Sequence, residues 1–255
     1  MNKITFIANL LFALSLVIFS PDSKSESLDM FIWANDLAPI ISHEDSGKTR
    51  GAISEYQGVM VDVLDSLPHS VKPQINVILS SRRRGEKELY DGNIDFTILS
   101  PKWIEFPEKL IFTLPIYVHK EYLYAIKAIP DKSVEALVEG KRVCTRSGYR
   151  YPGIARFIES GVAKRVDSED EHGQFKLLFR GRCDFVLTNE FAANKVINKN
   201  NWEAVVSASK VIIDQTGYTL AFHPKHQAFV DIMNKHIAHL LESGELDKFI
   251  TRQTR

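Results

Sequence analysis

The chain has 255 residues, with 32 basic and 32 acidic side chains and only two cysteines. The balanced charge leaves no basic surplus of the kind that marks a nucleic-acid binder. The length allows one large domain or two small ones.

The N-terminus reads as a targeting signal. Lys3 is followed by an almost wholly apolar run from Ile4 to Phe19, then by the small polar stretch Ser20 to Ser25. A charged start, an apolar middle and a small-residue end predict a cleaved secretory leader over residues 1–25. The run is short for a membrane span. Removing residues 1–25 takes away Lys3, Lys24 and Asp22 and leaves 30 basic and 31 acidic side chains. In an oxidising compartment Cys144 and Cys183 can form one disulfide, or they can remain two buried thiols in neighbouring strands.

The exported part reads as short apolar runs alternating with amphipathic helices. Met30–Trp33 is a strand, Val59–Leu67 a helix stopped by Pro68, and Ile75–Leu79 a β-branched strand. Arg83–Asp91 is a helix, with Gly92 suited to its C-terminal cap, and Ile94–Leu99 is the next strand. Tyr117–Lys127 and Tyr218–Phe222 read as extended segments. Between them lies a second series: strand Arg142–Thr145, helix Ile154–Ser160, a helix opened by the spacing Ser168-x-x-Glu171, strand Asp184–Thr188 and helix Glu190–Asn198. Gln227–Leu241 and Glu245–Thr251 close the chain as helices. Strands alternating with helices imply an α/β fold with mainly parallel sheets.

Six segments, in order, resemble the type 2 periplasmic binding proteins, specifically the family 3 solute-binding proteins of polar amino-acid importers. They are Gly58-Val59-Met60-Val61-Asp62-Val63, Leu89 to Asp95, Phe112-Thr113-Leu114-Pro115-Ile116-Tyr117, Val138 to Val143, Gly181-Arg182-Cys183-Asp184-Phe185-Val186, and Leu241 to Leu246. The resemblance implies two lobes joined by two extended crossovers. Lobe one is expected at residues 28–116 plus 220–255, lobe two at 121–215, and the hinge at 117–120 and 216–219. It implies a monomer that closes over a small-molecule ligand, with an ABC permease in the inner membrane as partner.

Ligands of such α/β folds sit beyond the ends of parallel strands. Here those ends carry Asn35 and Asp36, then Ser100, Lys102 and Trp103, then Arg146, Ser147 and Tyr149, and finally Asn189 and Glu190. Arg146 suits a two-pronged contact with a carboxylate, Lys102 a point charge, Trp103, Trp33 or Tyr149 a stacking surface, and Asp36 or Glu190 an ammonium. Amino-acid binders of the family usually place an Arg a few residues beyond the third strand and an Asp where this chain has Asn189. The stretch Ile104–Lys109 holds no Arg, so both usual anchors are altered. Arg82-Arg83-Arg84 opens a helix where positive charge is unfavourable, which leaves a role for one Arg turned toward the cleft.

His223-x-x-His226 and His236-x-x-His239 lack the glutamate of an H-E-x-x-H motif, and neither a nucleophile elbow nor a phosphate-binding glycine loop occurs. No cofactor or metal is therefore expected. The sequence reads as a periplasmic solute-binding protein for an ABC-type importer rather than an enzyme. A periplasmic sensor and a dehydratase-like enzyme on the same fold are the alternatives.

Overall fold

The structure, a computed structural model, describes residues 27–34, 36–45 and 47–254. The expected leader and Asn35 lie outside the described residues, as does the side chain of Asp36. Among the described residues no helix is long and apolar enough to cross a membrane.

The first half is built on β1 (Ser27–Ile32), followed by a small hairpin of β2 (Asp36–Leu37) and β3 (Ile41–Ser42), then β4 (Arg50–Ala52), α1 (Val59–Asp65), β5 (Gln74–Leu79), α2 (Arg82–Tyr90), β6 (Phe96–Leu99) and β7 (Ile111–Phe112). β1 lies between β5 and β6, parallel to both. Alternate residues of β1 serve opposite faces. Met30 and Ile32 join the cluster packed by Met60, Val63 and Leu64 of α1, while Phe31 joins Leu89 of α2 and Trp103.

Two glycines set the backbone that borders the later site. Gly58 has φ +136°, and a Cβ there would stand 2.2 Å from the Ile40 carbonyl oxygen. The carbonyls of Pro39 and Ile40 accept the first amide protons of α1, so this approach anchors residues 39–40 on the helix. Gly85 lies flat on Phe31, whose ring a Cβ would meet at 2.3 Å. That contact sets the first turn of α2, with Arg82, next to β1.

The second half runs β8 (Tyr117–Ala125), α3 (Val134–Val138), β9 (Arg142–Arg146), α4 (Pro152–Glu159), β10 (Lys164–Ser168), α5 (Glu171–Phe179), β11 (Phe185–Asn189), α6 (Glu190–Asn200) and β12 (Ser207–Ala208). β9 is parallel to β10 and β11, and β8 is antiparallel to β11. Again the strands alternate: Leu123, Val143 and Leu187 pack against α3 and α4, while Tyr124, Cys144 and Val186 pack against α5 and α6. Cys144 and Cys183 are joined by a disulfide with their Cα atoms 5.7 Å apart.

β13 (Asp214–Phe222) belongs to both halves. Its residues Asp214–Tyr218 pair antiparallel with Glu121–Tyr117 of β8, and Thr219–Phe222 pair with Leu99–Phe96 of β6. The hydrogen-bonded order is thus β10, β9, β11, β8, β13, β6, β1, β5, β4. α7 (Gln227–Glu242) and α8 (Glu245–Gln253) return to the first half, where Phe229, Met233, Ile237 and Leu246 join its core.

One expectation needs correction. The helix after β10 is not capped by Ser168, which ends the strand. Asp170 is the N-cap and accepts from the Gly173 amide, while Ser168 Oγ donates to the Asp170 carbonyl. Asp is as good a cap as Ser, and the chain needs Ser168 for its pairing with Arg146.

Asp95 ties three elements of the first half together. It accepts from the Asp29 amide at 2.7 Å, from Lys225 at 2.8 Å and from His226 at 2.7 Å. Burial alone would raise its pKa, but the bonds from Lys225, the Asp29 amide and His226 outweigh it and hold the carboxyl below its usual range. A group depressed on folding stabilises above its unfolded pKa and loses that contribution as pH falls through the folded value. Asp95→Asn should therefore cost about 1 kcal/mol at neutral pH. In urea unfolding, that difference should shrink once the pH drops below about 4.

Candidate ligand-binding site

The alternation of β8 puts Tyr117, His119 and Glu121 on one buried face, with Val118 exposed on the other. That face is the floor of a cleft of about 730 Å³ between the two halves. One wall comes from the first half: Trp33, residues 37–40, Arg82 and Trp103. The other comes from the second: Arg146, Tyr149, Tyr151, Glu171, Thr188, Asn189, Phe191 and Lys195 among them. Tyr218 of β13 completes the floor.

A stack of rings and cations crosses the cleft. The Arg82 guanidinium lies 5.3 Å from the Trp33 ring centre and 5.0 Å from that of Tyr149. Arg146 faces Tyr149 at 4.7 Å. The order Trp33, Arg82, Tyr149, Arg146 therefore runs from one half to the other, each contact of cation–π type. Both arginines are oriented by carboxylates: Arg82 Nε donates to Glu86 at 2.8 Å and Arg146 Nη1 to Glu171 at 2.8 Å. Arg82 also donates to the Trp103 carbonyl at 2.8 Å, and Arg165 holds the Arg146 and Tyr149 carbonyls at 3.0 Å each. These bonds fix the guanidinium planes before any ligand arrives.

The floor is aromatic and acidic. Trp103, His119 and Tyr218 meet edge to face, with centres 4.9 to 5.3 Å apart. Glu121 is 6% exposed, and its Oε1 lies 3.4 Å from His119 Nε2. Burial raises the Glu121 pKa, and the His119 contact only partly offsets it. Burial likewise raises the Tyr149 pKa. Three buried polar atoms of the cleft lack a hydrogen bond of proper geometry: Trp33 Nε1, Tyr149 Oη and Glu121 Oε2. The first two lie close enough to influence each other without making that bond.

No family model and no curated protein matches this sequence. Solved structures do. A mutant of the arginine-binding protein ArgBP from T. maritima superimposes with a TM-score of 0.67 at 17% identity, over 89% of this chain and 95% of that one. The amino acid ABC transporter substrate-binding protein AbpA from Streptococcus pneumoniae, bound to L-arginine, gives 0.67 at 17% identity over 89% and 94%. This chain has the type 2 periplasmic binding protein fold. An ancestral amino-acid-binding protein, a precursor of cyclohexadienyl dehydratase, superimposes at 0.65 with 17% identity over 90% and 95%.

Within this periplasmic binding protein fold, Trp103, Arg146, Tyr149 and Asn189 line the cleft together. Asn189 also caps α6, accepting from the Phe191 and Ala192 amides. Ser100, Lys102, Ser147 and Glu190 are not among the lining residues. Ser100 is buried and accepts from the Lys102 amide in the turn Pro101–Trp103. Lys102 reaches the Gln215 carbonyl at 3.3 Å, Ser147 is exposed, and Glu190 opens α6. Sequence reasoning did not place Tyr117, His119, Glu121, Tyr151, Glu171 or Tyr218 among the ligand contacts. The period of two along Tyr117-His119-Glu121, with an acid at a buried position, was the signal for the floor.

Proposed function

We propose that the chain is a periplasmic solute-binding protein that captures a small zwitterionic, amino-acid-like solute for an ABC-type importer. The observation that carries this reading is the cleft between the two halves, with Arg82 and Arg146 both against the Tyr149 ring and each aligned by a carboxylate. Two fixed guanidinium groups against an aromatic face suit a carboxylate attached to a short polar body. Residues 117–120 and 216–219 serve as the hinge, so that the walls from residues 28–116 plus 220–255 and from 121–215 close on the solute. The disulfide between Cys144 and Cys183 agrees with an oxidising compartment, and the leader over residues 1–25 with export to it. An inner-membrane permease is the partner this role requires.

A thermal-shift screen tests the reading. Its panel holds L-arginine, L-glutamine, L-glutamate, glutarate, agmatine and neutral sugars. A ligand that binds only the folded state raises the melting temperature by mass action. A zwitterion should give the largest rise; a rise with sugars alone would overturn the proposal. The buried pair His119 and Glu121 also has the makings of proton-transfer chemistry, the one feature that favours a dehydratase-like enzyme. Recovery of the bound solute unchanged after prolonged incubation disposes of that alternative.

A further inference from the structure

We propose that Glu121 is the counter-ion for a cationic nitrogen of the solute, which docks on the cleft floor between Glu121 and the rings of Trp103 and Tyr218. The inference rests on the reading of the cleft as a solute site and adds the place and partner of the amine.

The geometry of Glu121 carries it. A buried carboxyl oxygen without a hydrogen-bond partner is costly and rare, and Glu121 Oε2 is such an atom at the surface of a cavity. Its other oxygen has only the long contact to His119. In the sheet, Glu121 stands directly opposite Asn189 of β11 and Asp214 of β13. Directly paired residues present their side chains on the same face. Asn189 brings no charge. Asp214 brings a second acid, held by Thr216 and 3.8 Å from Lys102, and its charge adds to burial in disfavouring ionised Glu121. Tyr151 and Tyr218, the other titratable groups facing Glu121, supply no positive charge. Among the described residues the floor thus gathers acid, with His119 beside Glu121 and Lys102, of the two acids, reaching only Asp214, whereas Arg82 and Arg146 gather positive charge along the walls. A cation arriving at the floor meets the unpartnered oxygen and the π faces together. A zwitterion satisfies both ends of the cleft in one orientation.

Proton linkage follows from the same arrangement. Burial raises the pKa of Glu121, and a cation bound beside it would favour the ionised carboxylate and oppose that rise. Affinity for a cationic group should rise as pH is raised through that value.

Isothermal titration of the purified protein and of Glu121→Gln, with L-glutamate, L-arginine, agmatine and glutarate, is the test. Gln keeps the shape and removes the charge. The expected result is a loss of about tenfold or more for the amino acids and agmatine in Glu121→Gln, with glutarate unaffected. Agmatine binding that is lost in the variant, with no amino acid binding, supports Glu121 while refuting the zwitterion reading. Equal affinities in both proteins overturn the inference and leave the carboxylate half of the reading standing. Failure of all four probes to bind overturns both. If Glu121→Gln does not fold, the unsubstituted protein still decides. The ratio of L-glutamate to glutarate affinity should climb as pH is raised above the ordinary glutamate value of about 4, and a flat ratio rejects the assignment.

Discussion

Loss of the disulfide should lower stability by about 4 kcal/mol, the entropy released when a loop of this size is opened in the unfolded chain. The bond joins residues 39 apart in sequence. The segment it closes contains α4, β10 and α5, and with them Arg146, Tyr149, Tyr151 and Glu171 of the cleft wall. Cys144 is fully buried and Cys183 nearly so, packed with Phe175, Leu178 and Val186. A Cys144→Ala, Cys183→Ala double variant therefore loses the cross-link and some packing together. Urea unfolding of this variant and of the oxidised protein measures the difference through the midpoint. A shift worth less than about 1 kcal/mol would mean that the unfolded chain is already compact over residues 144–183.

Arg146→Ala should weaken binding of an anionic ligand by about 1.5–3 kcal/mol, roughly 10- to 150-fold. The side chain is largely buried, stacks on Tyr149 and is aligned by Glu171. Its removal takes away one charge-assisted donor and leaves Glu171 facing the ligand's carboxylate without its partner. Arg146→Lys should recover only part of the loss, because an ammonium lacks the planar fork that both stacks and donates in pairs. Titration with L-glutamate reads both variants. An affinity unchanged in Arg146→Ala removes this residue from the site.

Much of the fold was legible because its core strands are apolar and its helices amphipathic. Residues 75–79, 142–145 and 184–188 read as strands from their β-branched and apolar content, and helices follow each of them. β10 was not legible. Its sequence Lys164-Arg165-Val166-Asp167-Ser168 is an edge strand with no fully buried residue, so neither an apolar run nor a clean alternation marks it. The two- and three-residue strands β2, β3 and β4 are too short for any period to show. Of the residues that the strand-end rule names, Trp103, Arg146, Tyr149 and Asn189 line the cleft. The rule passed over Glu121 and His119 because these lie within the crossover strand, away from any strand end. Arg82 was visible only as one of three arginines at an unfavourable helix start; its stack between Trp33 and Tyr149 depends on tertiary packing. Lys102 shows the converse: the topology brings it to the cleft region, but the nearby Gln215 carbonyl and Asp214 draw it aside.

The shared strand β13 has a mechanical consequence. Because it bonds to β8 with its first five residues and to β6 with its last four, the two halves are joined by a continuous ribbon rather than by slack chain. Such a ribbon twists and bends like a leaf spring, yet it resists sliding, since a shift of one residue would turn every side chain to the opposite face. Reorientation of the halves therefore leaves the register between Tyr117–Glu121 and Asp214–Tyr218 intact. In the closure proposed above, Tyr117, His119, Glu121 and Tyr218 would keep their places along this ribbon while the arginine-bearing walls swing about it.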